Sequence, residues 1–199
     1  MYRVRELVEL RCFVPPAVAA ASSAGESLVL HWLALTLTPG LGPTRARRLA
    51  EHFGSVQNIF KASLTELEAT GIHAASAQSL GTGRSMELAN DEMGRVNAAG
   101  VSVICLDDFS YPAQLKQIYD PPLVLYVRGK VDVIGQPGIA IVGTRHPTPY
   151  GLGIAERLAC DLAARGLVIF SGLARGVDAA GHRAQLLLRA KLSPFSAPA

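Results

Sequence analysis

Two short apolar runs, "IAIV" (139–142) and "LVIF" (167–170), close on "G" and "SG" and are separated by a segment of helical periodicity. Runs this short and this rich in β-branched residues predict strands buried on both faces. Between them, Ile154, Leu158 and Leu162 recur at four-residue spacing, which predicts a helix with those residues facing the core and Gly166 as its stop. A strand, a helix and a strand within roughly thirty residues make a parallel crossover, so both strands end on the same side of one sheet. The loops that follow, "GTRHPTPYG" and "SGLARGVD", are then neighbours on that rim. The rim gathers the hydroxyls of Thr144 and Ser171, the guanidinium groups of Arg145 and Arg175, and backbone amides at Gly143 and Gly172 that are expected to be free. Such donors suit a phosphate. Pro147 and Pro149 hold the first loop out of a helix and keep it stiff.

The usual phosphate cofactors do not fit this rim. Gly151 and Gly153 are spaced wrongly for a dinucleotide fingerprint, no acidic residue follows the second strand at the ribose position, and no GK[ST] occurs. Asp178 and His182 admit two readings. Asp178 is either the N-cap of the helix "AAGHRAQLL" or half of an acid–base pair with His182 one turn on. No nucleophile–base–orienter set accompanies them, so neither catalytic residues nor a cofactor are assigned.

The first part of the chain has a different grammar. From Leu28 to about Leu80 the pattern is helical: "LVLHWLALTLT" is apolar on more than one side, and "TRARRLAEHFG" sets Ala46, Leu49, Ala50 and Phe53 on one face before Gly54. The turn "TPGLGPTRA" between these helices resembles a helix-hairpin-helix unit, with "LEATGIHAASAQSL" as a weaker second copy. Either the amides opening the helix after Gly42 receive a DNA phosphate beside Arg45, Arg47 and Arg48, or the glycines serve packing alone. Met86, Ala89, Met93 and Val96 predict a further helix stopped by Gly100, and "VSVICL" (101–106) and "PLVLYVRG" (122–129) read as strands. The organisation expected is a disordered leader (1–26), a helical domain (27–82) and an α/β domain (83–199).

Composition narrows the class. The 49% hydrophobic and 18% charged content is that of a globular chain, and the formal charge of +3 permits nucleic acid as a partner without requiring it. Cys12, Cys105 and Cys160 are odd in number and form no CxxC pair, which fits reduced thiols rather than a disulfide framework or a zinc site. The alanine-rich start has a faint signal-peptide look, but Pro15 and Pro16 split its apolar part, and Glu6 and Glu9 stand where cations are expected. No membrane span is expected, the location expected is cytoplasmic, and the leader is expected to be dispensable, as an over-extended translation start would be.

"AIVGTRHPTPYG" and "SGLARGVDAAGHRAQL", preceded by "YPAQL" and "DPPLVLYVRG", resemble the DprA/Smf family of DNA-processing proteins from about Leu28 to Leu186. The resemblance implies an α/β architecture in which an N-terminal helical (helix-hairpin-helix, SAM-like) domain precedes an extended Rossmann-like parallel sheet. It implies single-stranded DNA as ligand, RecA recombinase as partner in natural transformation, a homodimer in complete members, and no catalytic activity. Arg145 carries over as a DNA contact, together with Gly143 and Thr144, and Ser171 to Gly176 as a second loop that includes Gly172 and Arg175. A family member continues after "HRAQL" with a glycine-rich turn and a strand of the type TIAVLG, whereas here "LLRAKLSPFSAPA" follows. The sheet is therefore expected to be incomplete, with an open edge, lost dimer surface and weakened DNA binding. Two other readings stand beside this one. One is a nucleotide-binding or phosphoribohydrolase-type enzyme, whose PGGxGT-type loop is missing here. The other is a helical interaction module carrying an inert α/β remnant.

Overall fold

A computed structural model of the chain describes residues 7–8 and 23–192. It divides after Val131 into two compact units. The division falls well beyond the expected one at 82/83, because the strands at 102–105 and 124–127 pack with the helices before them.

The first unit begins with β1 (Leu7–Val8) and continues through α1 (Ser23–Leu37), α2 (Pro43–Phe53), α3 (Val56–Ile59), α4 (Leu64–Ala69), α5 (Ala74–Gly81) and α6 (Arg84–Ala98). Then come β2 (Ser102–Cys105), the short helix α7 (Ala113–Lys116) and β3 (Val124–Val127). Four consecutive residues of α1, Trp32 to Leu35, are buried, so this turn of the helix is enclosed on every side and lies in the core of the unit. α2 shows the opposite pattern. It buries Ala46 and Leu49, leaves Arg45 and Arg48 exposed, and ends at Gly54 in the left-handed region (φ 73°). Ser63 and Glu66 close a capping box over α4, each bonding the other's backbone amide. β2 and β3 are antiparallel with Cys105 opposite Val124, and β1 adds in parallel on the other side of β3. The leader expected to be disordered lies mostly outside the described residues. Where it is described, Leu7–Val8 pairs with β3 and α1 already starts at Ser23.

A buried chain of hydroxyls ties these helices together. Thr38 donates to the Ala34 carbonyl (2.7 Å) and meets Ser85 (2.8 Å), which meets Ser79 (2.9 Å). Ser76 donates to the Pro39 carbonyl (2.7 Å), joining the turn before α2 to the helix α5. Buried hydroxyls partnered in this way avoid the cost of unmade hydrogen bonds.

The second unit is the crossover. A single 3₁₀ turn, Val131–Val133, stands at the division, followed by β4 (Gly138–Ala140), α8 (Pro149–Ala164), β5 (Val168–Phe170) and α9 (Val177–Leu192). β4 and β5 are parallel, with Ile139 opposite Ile169. The core is small: Ile141, Ala159, Ile169 and Ala184, with Cys160, Leu162, Ala163 and Val177 packed against it.

Two expectations fail in this unit. β4 is exposed rather than buried on both faces, and Val142 beyond it is 68% exposed, because among the described residues β4 pairs only with β5. α8 also packs through a neighbouring face: of the three residues expected to point inward, Leu162 meets the core but the other two do not. Ile154 and Leu158 are each 47% exposed, while Ala155 and Ala159 are buried. The alanines let α8 approach α9 and β5 closely, and Ile154 and Leu158 are left outside.

At the outer side of β5, Gln185 of α9 takes the place of a neighbouring strand. In the amide orientation its neighbours require, the side-chain NH2 donates to the Ile169 carbonyl (3.1 Å) and the side-chain oxygen accepts from the Ile169 amide (3.3 Å). No helix among the described residues is long and apolar enough to cross a membrane.

Candidate nucleic-acid interface at the strand ends

Because β4 and β5 run parallel, the loops after them rise on one side of the second unit, as the sequence requires. The first loop ends at Thr148, whose hydroxyl accepts from the Gly151 amide (3.2 Å) as N-cap of α8. Pro149 is the first residue of that helix rather than a barrier to it, since its missing N–H costs nothing there. Pro147 is left as the loop's stiffening residue.

Arg145 and Arg175 are both exposed, one in each loop. Thr144 is exposed too, and its hydroxyl accepts from the His146 amide (3.2 Å). Ser171 is half-buried and accepts from the Leu173 amide (3.3 Å). Leu173 itself holds a left-handed backbone (φ 52°), unusual for a residue with a side chain.

The glycine amides expected to be free at Gly143 and Gly172 are occupied. The Gly143 amide donates to one carboxylate oxygen of Asp178 (3.1 Å) and the Gly172 amide to the other (2.9 Å). Asp178 is only 4% exposed. This also corrects its reading as an N-cap: α9 starts at Val177, and the carboxylate reaches across to two other loops instead of back to its own helix. Nor is it joined to His182 by a hydrogen bond, as an acid–base pair would be: the two donors found on its carboxylate are the Gly143 and Gly172 amides. Burial pushes the His182 imidazole below its ordinary value, which favours the neutral ring.

The glycines have packing reasons of their own. A Cβ at Gly143 would lie 2.9 Å from that of Val177, and one at Gly172 would lie 3.0 Å from Asp178 Oδ2. At Gly176 (φ 87°) it would lie 2.3 Å from the Thr144 carbonyl oxygen. That carbonyl accepts from the Val177 amide (3.2 Å), so the first turn of α9 is seated directly against the Arg145 loop. Asp178 was the residue sequence reasoning misplaced. The one available signal was an acid directly inside a helix that follows a glycine-bearing loop.

The second expected phosphate position, at the turn before α2, looks different. Gly40 takes a left-handed backbone (φ 75°) and Gly42 is the N-cap, as the turn needs. Yet Thr44 in the first turn of α2 donates to the Asp120 carboxylate (2.9 Å), which puts an acid at that end of the helix. Arg47 leans on Glu51 at 3.7 Å. Among the described residues no group of three or more His, Cys, Asp or Glu is placed to hold a metal.

These observations define an α/β chain whose parallel crossover carries two exposed arginines on closely packed strand-end loops. Residues 102–192 match the family model for DNA recombination-mediator protein A. Protein Smf of Synechocystis sp. is 36% identical over 161 residues, covering 76% of this chain and 39% of that protein. DNA processing protein DprA of Bacillus subtilis is 41% identical over 88 residues, covering 44% of this chain and 30% of that protein. The X-ray structure of DNA processing protein A (DprA) from Streptococcus pneumoniae shares the fold, with a TM-score of 0.60 at 23% identity over 80% of this chain and 53% of that one. The chain belongs to the DprA/Smf family of DNA-processing proteins. It matches 39% of the length of the Synechocystis relative and 30% of the Bacillus one.

Proposed function

We propose that this chain binds single-stranded DNA through the strand-end loops of its second unit and serves recombination in the cytoplasm by assisting RecA loading, without catalysis of its own. The observation that carries the reading is the pairing of exposed Arg145 and Arg175 with loops whose Gly143 and Gly172 amides are already taken. Side-chain cations on stiff loops suit a polymer backbone passing over the rim. A nucleotide pocket would instead need those amides to receive a phosphate, which counts against the phosphoribohydrolase reading. Thr144, Ser171 and the glycines at 143, 172 and 176 shape the contact surface. The turn before α2 is a weaker candidate, because Asp120 stands beside it.

The test is a titration of a labelled oligothymidylate at several salt concentrations. Replacing Arg145 by Ala should weaken binding and reduce the slope of log affinity against log salt by about 0.7, the single-strand value for one neutralised phosphate. Unchanged affinity and slope would overturn the assignment of Arg145. RecA loading is read separately, as the rate at which RecA displaces a single-strand-binding protein with and without the chain.

A further inference from the structure

Asp178 is a buried acid in the middle of a surface argued to bind a polyanion. Charge alone would make this counterproductive, since a carboxylate repels phosphate and is costly to bury. The geometry shows what it does instead. One oxygen accepts from the end of β4 at Gly143 and the other from the end of β5 at Gly172, so one side chain ties two loops whose anchor points lie 29 residues apart in sequence. The residues just before it extend the tie. Val177 donates to the Thr144 carbonyl, and Gly176 has no Cβ where one would strike Thr144 and Arg145.

We infer that Asp178 is a positioning residue for DNA binding. Resting on the single-stranded DNA reading above, this inference assigns Asp178 no contact with the nucleic acid. It acts through the Thr144–Arg145 and Ser171–Arg175 loops, fixing the separation at which the two guanidinium groups meet successive phosphates. Two amides that could otherwise receive a phosphate are withdrawn for that purpose, leaving recognition to the arginines.

The sign of one substitution separates this from the alternatives. Asp178→Asn keeps the shape and removes the negative charge. If Asp178 were only an unfavourable charge near the DNA, affinity for oligothymidylate would rise. If it positions the loops, affinity falls, by roughly tenfold, the scale of one lost charge-assisted hydrogen bond, because the new NH2 group meets an amide N–H with no acceptor between them. Combining Asp178→Asn with Arg145→Ala should cost less than the sum of the two, since a mispositioned Arg145 has little left to lose. Strictly additive losses, or tighter binding by Asp178→Asn, overturn the inference.

Should Asp178→Asn not fold, the unmodified chain still decides by hydrogen exchange. The Gly143 and Gly172 amides should be equally protected with and without bound oligothymidylate. Faster exchange of either amide on binding would mean that DNA breaks the tie, and would overturn the inference. A chain that binds no oligothymidylate at all overturns the DNA reading itself, and this inference with it. That result is distinct from a binding chain indifferent to Asp178→Asn, which overturns the inference alone.

Discussion

Gly176 combines a left-handed backbone with a Cβ position 2.3 Å from a carbonyl oxygen that belongs to another loop. Replacing it by Ala should destabilise the second unit by at least about 1–2 kcal/mol from the backbone conformation alone, and further through displacement of Thr144. The readout is a shift of the urea midpoint followed by a probe in that unit, and a neutral substitution would show that the loops can part without cost. The sequence marked Gly143 and Gly172 as places for free amides and gave no sign that the space beside them is needed for packing. The glycines looked like room for an anion, whereas the space above them is filled by Val177 and Asp178 of the same chain. Local spacing cannot announce a bond such as Gly143 to Asp178, which joins residues 35 apart.

Among the elements, α8 shows most clearly where periodicity stops informing. Four-residue spacing places Ile154 and Leu158 on one face but does not say which face packs, and close approach to α9 selected the alanines. The β–α–β order, the parallel pairing and the helix stops at Gly54 and Gly166 were legible, because each follows from steric rules acting over a few residues. α9 carries a prediction through His182. Burial lowers its imidazole from the ordinary value of 6.5, so the unfolded chain takes up this proton before the folded one does. Well above pH 6.5 both states leave this site unprotonated and it has no effect on stability. As pH falls below 6.5 the folded form loses stability. His182→Gln should flatten the pH dependence of unfolding in that range, and an unaltered profile would remove His182 as a contributor.

For the molecule as a whole, the two units carry separate cores and can be watched separately. Trp32 is the chain's one tryptophan; it is 2% exposed, and its Nε1–H donates to Asp107 (3.0 Å) within the first unit. Its emission should therefore stay unchanged when urea or low pH first loosens the second unit, while far-UV circular dichroism already reports lost helix. Superimposable transitions by both probes would show the chain unfolding as one. The sequence expected an open sheet edge, and the two margins of the β4–β5 sheet prove unequal. Beside β5, Gln185 satisfies both outward backbone groups of Ile169, while the far side of β4 has no strand among the described residues. Such a sheet has polarity in its capacity to grow. A ribbon with two bare margins accepts copies on both sides and can lengthen without limit, but a ribbon with one can meet a single like ribbon across a twofold axis, and there growth stops. Gln185 is in that sense a stopper set into one margin of the β4–β5 sheet, leaving that ribbon a single direction in which it could be extended.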